Sequence, residues 1–318
     1  MAEEPRDPVA QAAGQRSHAW WRVLLIGGAL YFVGVGIFAL TDNPNLFPTV
    51  IMLGSFLVPA AFVAFFYERR FLSRLTMPTV GLAFFYGGVL GVFAASLLEP
   101  LLVPQLDFFT AFLVGLIEEG AKILGVLVIA RHRRHDSEMD GLILGAAAGM
   151  GFAALESTGY AFTAFLRSGG SLSQTVIVIL ARGLLSPLGH GTWTAIFAAV
   201  LFREGHVNHF HFDRKVIGAY LLVSGLHGLW DGVPAALTAL FGSGVAIAAG
   251  ELAVGGAGLY LLAGRYRDAR QRQLARLAGE AGESAEARAA PEARAAGEAG
   301  DMPEESPERG AQEARRER

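Results

Sequence analysis

Cysteine is absent from the chain. That excludes disulfides, Cys-ligated zinc, iron–sulfur clusters and thiol nucleophiles together. Lysine is nearly absent, with only Lys122 and Lys215. Charge is scarce over most of the length. Of 55 charged residues, 23 fall between Arg265 and Arg318, which leaves 32 for the preceding 264 positions. Hydrophobic residues make up 53% of the 318, and the mean hydropathy is +0.40. A soluble domain cannot cover its surface with so little charge. The expected class is therefore an all-α, polytopic membrane protein with a polar tail, partnered by the lipid bilayer. The net charge of −3 gives no sign of a nucleic-acid partner.

Apolar runs long enough to cross a bilayer occur near 20–40, 49–67, 79–98, 108–130, 140–165, 172–201, 216–240 and 244–264. Loop charge supports a count of eight. Basic residues cluster before the first run and after the second, fourth, sixth and eighth, seventeen in all from Arg6 to Arg276. The intervening loops carry only Arg167. This alternation predicts eight spans in the cell membrane with both termini cytoplasmic. Three segments follow: a polar N-terminal tail, 1–17; the transmembrane domain, 18–264; and a cytoplasmic tail, 265–318. After about Leu277 the tail has almost no large apolar residue, so disorder is expected there. The stretch 99–107 reads as a loop.

Any chemistry must then lie in the membrane. An ionisable side chain there costs roughly 2.5–3.5 kcal/mol on insertion scales, so each needs a reason. The fourth run carries Glu118, Glu119 and Lys122; the fifth, Glu156; the sixth, Arg182 and His190; the seventh, His227 and Asp231; the eighth, Glu251. At about 1.5 Å per residue, all but the last of these carboxylates and the two histidines fall roughly 18–25 Å from the cytoplasmic ends of their helices. Glu118 with Lys122, and His227 with Asp231, share faces at i,i+4. Gly141, Gly145 and Gly149, and Gly225, Gly228 and Gly232, should let these helices approach closely. Pro187 should kink the sixth run three residues before His190. Glu251 stands nearer the outer edge, as a hydrated residue. Arg182 reads as structural, and His206, His209 and His211 as a solvated loop cluster.

The E-E-x-x-K of Glu118, Glu119 and Lys122, the F-x-x-x-E of Phe152 and Glu156, the His190 motif and the H-x-x-x-D of His227 and Asp231 stand in the order seen in the PrsW intramembrane proteases. The chain resembles that family over roughly 20–264. The family is itself similar to the type II CAAX prenyl proteases, which usually have His at the position of Glu156 and Asn at that of Asp231. The resemblance implies a membrane-embedded endopeptidase of metalloprotease type whose substrates are membrane-anchored proteins, anti-sigma factors being the known class.

Peptide hydrolysis needs an activated water, a proton for the leaving amine and stabilisation of the oxyanion. Glu118 suits the general base, with Glu119 as second base or orienting partner and Lys122 neutralising the pair. His190 and His227 can ligate a divalent metal, with zinc the first candidate, or serve a metal-free scheme. Glu156 or Asp231 would supply the carboxylate ligand or orient a histidine. No H-E-x-x-H and no intramembrane aspartate pair is present. A transporter also uses intramembrane charge, and an inactive scaffold of the same fold is a third class.

Overall fold

The computed structural model describes residues 18–70, 73–131, 137–205, 210–241 and 244–300. It is all-helical over these residues. In chain order the helices are α1 (Ala19–Thr41), α2 (Phe47–Glu68), α3 (Met77–Leu102), α4 (Thr110–Ala130), α5 (Glu138–Arg167), α6 (Leu172–Leu185), α7 (His190–Glu204), α8 (Arg214–Phe241) and α9 (Gly244–Gly300). A 3₁₀ turn, Ser186–Leu188, joins α6 to α7, as expected where Pro187 interrupts the run. The chain divides into two units, Met1–Arg270 and Gln271–Arg318. The site lies wholly within the first.

Among the described residues, seven helices are long and apolar enough to cross a membrane, with Leu172–Glu204 counted as one. The protein is thus multi-pass. The helix α4 has the length of a span, 21 residues, but carries Glu118, Glu119 and Lys122 on consecutive turns. Two expectations are corrected. The last helix continues through 278–300, where disorder was expected, because Ala, Glu and Arg are strong helix formers even without a core to pack on. The stretch 99–107 is not all loop: α3 runs through Pro100 to Leu102. The polar N-terminal segment 1–17 and the residues after Gly300 lie outside the described residues.

The helix α5 is the central column. Its apolar window is 83% buried, against 11% for α1 at the periphery. Its sequence explains this. Gly and Ala hold nine of the fourteen positions from Gly141 to Ala154, and at the glycines among them α7 and α3 come up against its backbone. A methyl group at Gly149 would collide with the His190 carbonyl, and one at Gly151 with the Phe84 carbonyl. Close approach is therefore built into those two positions. Gly225, by contrast, faces open space, so it does not serve the packing expected of it. Helix starts are capped locally: Ser137 accepts from the Asp140 amide, and Ser171 from the Gln174 amide. Before α4, Asp107 accepts from the Thr110 and Phe109 amides. The Thr110 amide and hydroxyl hold the Asp107 carboxyl below the usual carboxylate range.

Candidate active site

On α4, Glu118, Glu119 and Lys122 fall on one face, and that face is buried. The Lys122 ammonium donates to Glu118 Oε2 at 2.9 Å and to Glu119 Oε1 at 2.8 Å. Its third contact is His190 Nδ1, at 2.9 Å. The Phe152 ring covers it at 4.1 Å, which completes the enclosure. An ammonium has only protons to give, so Nδ1 of His190 must accept. The proton of that imidazole then sits on Nε2, which faces Glu156 Oε2 at 3.1 Å. Glu156 is anchored in turn by Arg182, whose Nη2 donates to the same oxygen at 2.6 Å and whose Nε donates to Ser157 Oγ at 3.2 Å.

The break at Pro187 sets His190. It stops α6, and α7 restarts at His190 itself, with the Thr192 hydroxyl donating to the Pro187 carbonyl at 2.6 Å. One turn further, at i+4, Thr194 Oγ1 donates to Glu119 Oε2 at 2.9 Å. The helix α8 is tied to α4 by Tyr220, whose hydroxyl donates to the Leu116 carbonyl at 2.6 Å. Two turns later on α8, His227 meets carboxylates on both ring nitrogens. Its Nδ1 is 3.1 Å from Glu119 Oε1, and its Nε2 is 3.5 Å from Glu118 Oε2 and 3.4 Å from Asp231 Oδ2. The buried Trp193 ring backs both imidazoles, with centroids 5.6 Å from His190 and 4.8 Å from His227. All seven candidate residues are thus brought into one connected cluster.

One candidate cation site emerges among the described residues. Single donor atoms of Glu118, His190 and His227 lie within 4.8 Å of one another. Two imidazoles and a carboxylate are the donor set of many catalytic zinc sites, so the residues fit such an ion in type and spacing. Here Glu118 takes the place expected of Glu156, whose oxygen is committed to Arg182. The Lys122 ammonium already stands against two of the three donors.

A cavity of about 310 Å³ opens beside His190, walled by Arg182, Ser157, Gly189, Trp230 and Glu251. Glu251 also lines this cavity, where α9 lies against Leu188 and Trp230 at Gly255. The sequence reading also passed over Glu99. It lies in contact with Glu118, with one oxygen buried and unpartnered, on the turn of α3 that was read as loop. Arg182 was set aside as structural, and Thr194 went unremarked although it lies four residues after His190 on the same face. Of the loop histidines, His206 and His209 lie outside the described residues.

Buried carboxylates and imidazoles beside a cavity of about 310 Å³, among apolar helices, are the groups of a membrane-embedded hydrolase. The family model for PrsW family intramembrane metalloproteases matches residues 76–254. That is more than half of the chain and covers every residue of the cluster, so the chain belongs to this family. It is a protease, acting on a protein substrate from within the membrane. No curated protein and no solved structure matches it.

Proposed function

We propose that the chain cleaves single-span or otherwise membrane-anchored proteins, anti-sigma factors being the class suggested by the resemblance, with Glu118 as the base that takes a proton from the attacking water. One observation carries this reading. Glu118 Oε2 faces both imidazoles, at 3.8 Å from His190 Nδ1 and 3.5 Å from His227 Nε2, and among the described residues no other carboxylate oxygen does so. Glu119 is fully buried, and its two oxygens are taken by Lys122, His227 and Thr194, so its part is to orient. His190 lines the cavity, and its Nε2 proton, shared with Glu156, is the one it would pass to the oxyanion or the leaving amine. Glu156 and Arg182 hold that imidazole's plane, as Asp231 holds that of His227.

Glu118, His190 and His227 would hold a divalent cation, zinc by donor type. Such an ion supplies Lewis acidity for the carbonyl and the water. A second reading rests on Lys122: its ammonium stands at the same donors, so a metal-free Glu–His pair organised by Lys122 is the alternative scheme. Metal analysis of purified protein beside a cleavage assay on single-span peptides separates them. The expected result is about one equivalent of metal per chain and loss of activity on chelation. Full activity in metal-free enzyme would remove the cation and retain the glutamate.

We also propose that α4 is the eighth span and that both termini face the cytoplasm, in the cell membrane, as the basic loops indicate. The chain has no native cysteine, so Asn43→Cys, between α1 and α2, reports on one loop alone. It should react with an impermeant thiol reagent from outside the cell. Reaction from the cytoplasmic side only would overturn the orientation.

A further inference from the structure

A groove of about 600 Å³, roughly twice the size of the cavity beside His190, runs between α1, α2 and α9. Its walls are apolar, with Leu24, Val58, Phe62, Phe65, Leu259 and Leu262 among them. Its polar groups gather at one end, where Arg69 and Arg267 stand with Trp20 and Tyr266. The Tyr266 hydroxyl donates to the Arg69 carbonyl at 3.2 Å and joins the two helix segments there.

The two guanidinium groups are underused. Arg69 lies over the Phe65 ring at 3.5 Å and donates Nη1 to the Phe65 carbonyl at 3.2 Å. Arg267 donates Nε to the Ala263 carbonyl at 3.2 Å. Each guanidinium has five N–H groups, so most of their donors are uncommitted, and neither has a carboxylate partner among the described residues. Glu68, next to Arg69, is turned to the Ala19 and Trp20 amides at the start of α1. Two positive charges over an apolar slot, flanked by Trp and Tyr at a membrane boundary, complement a phosphate headgroup with attached chains.

We infer that this groove binds one anionic phospholipid of the cytoplasmic leaflet, its phosphate on Arg69 and Arg267 and its acyl chains along α2 and α9. The leaflet rests on the proposed orientation; the binding itself rests on nothing in the peptidase reading. Residues 1–17, which precede α1 in the chain, hold only Met1 and Val9 as larger apolar side chains and are too polar in sequence to match an apolar slot. The far wall is Pro187, in the turn that sets His190, so an acyl chain there would brace the start of α7.

The test uses full-length protein in detergent, equilibrated with equal amounts of phosphatidylglycerol and phosphatidylcholine carrying identical chains, with retained lipids counted by native mass spectrometry. One phosphatidylglycerol should be kept per chain, favoured on the order of 30-fold for two arginines at the headgroup. Arg69→Gln with Arg267→Gln should reduce this to the phosphatidylcholine level. Ala263→Trp, which fills the slot from an exposed position, should lower retention of both lipids. Glu118→Gln should bind lipid like the wild type, so a failed protease reading leaves this result standing. No preference in the wild type would overturn the inference, as would a preference that survives the double substitution or lipid retention undiminished by Ala263→Trp.

Discussion

Glu118→Gln abolishes peptide hydrolysis while the protein remains inserted and folded, with a loss of at least about 100-fold, the usual scale for removing a general base. The substitution keeps the shape and one acceptor oxygen, so Lys122 retains a partner at that position and a full charge partner at Glu119. What is lost is a carboxylate facing both imidazoles, since an amide cannot take the proton of water or bind a cation with comparable strength. His190→Ala should fall as far, because it removes the imidazole that links Lys122 to the Glu156–Arg182 pair. The assay is cleavage of a reconstituted single-span peptide, read beside monodispersity and helical content. Full turnover in Glu118→Gln combined with Glu119→Gln would remove the proposed mechanism.

The helical class and the cluster were legible because hydrocarbon makes polar groups conspicuous. Glu118, Glu119, Glu156, His190, His227 and Asp231 were the costly residues at one depth, and the structure joins them through Lys122. The break before His190 was legible in Pro187 for an equally local reason. The misses were contacts that depend on which way a helix faces. Glu251 looked peripheral by depth alone, yet the packing of α9 turns it into the cavity wall beside Trp230. Glu99 sat just past the third apolar run, in the stretch expected to be loop. Glu156 was the expected carboxylate ligand, yet Arg182 holds its oxygen at 2.6 Å and Glu118 stands with the two imidazoles instead. The helical stretch 278–300 shows the limit of composition: lack of apolar residues excludes a core but not a helix.

Lys122→Met leaves two carboxylates buried without their cation, and a large loss of stability is expected. Glu118 and Glu119 are 4% and 0% exposed, and Lys122 itself is 0% exposed. Removing one partner of a buried ionic group costs about 3–5 kcal/mol, because the remaining charge has neither water nor a counterion. Methionine matches the length and apolar stem of lysine, so the effect isolates the ammonium. Thermal unfolding in mild detergent should show the destabilisation, and adding Glu119→Gln to Lys122→Met should recover much of it, since one unpaired charge is then gone. The same variant tests the cation. If a divalent ion shares the donors that Lys122 occupies, zinc should bind Lys122→Met more tightly than the wild type and restore its stability in a concentration-dependent way. A Lys122→Met protein as stable as the wild type would show that the carboxylates are not held by that ammonium. A destabilised variant indifferent to zinc would leave the lysine in place as the organising cation and the site without a metal.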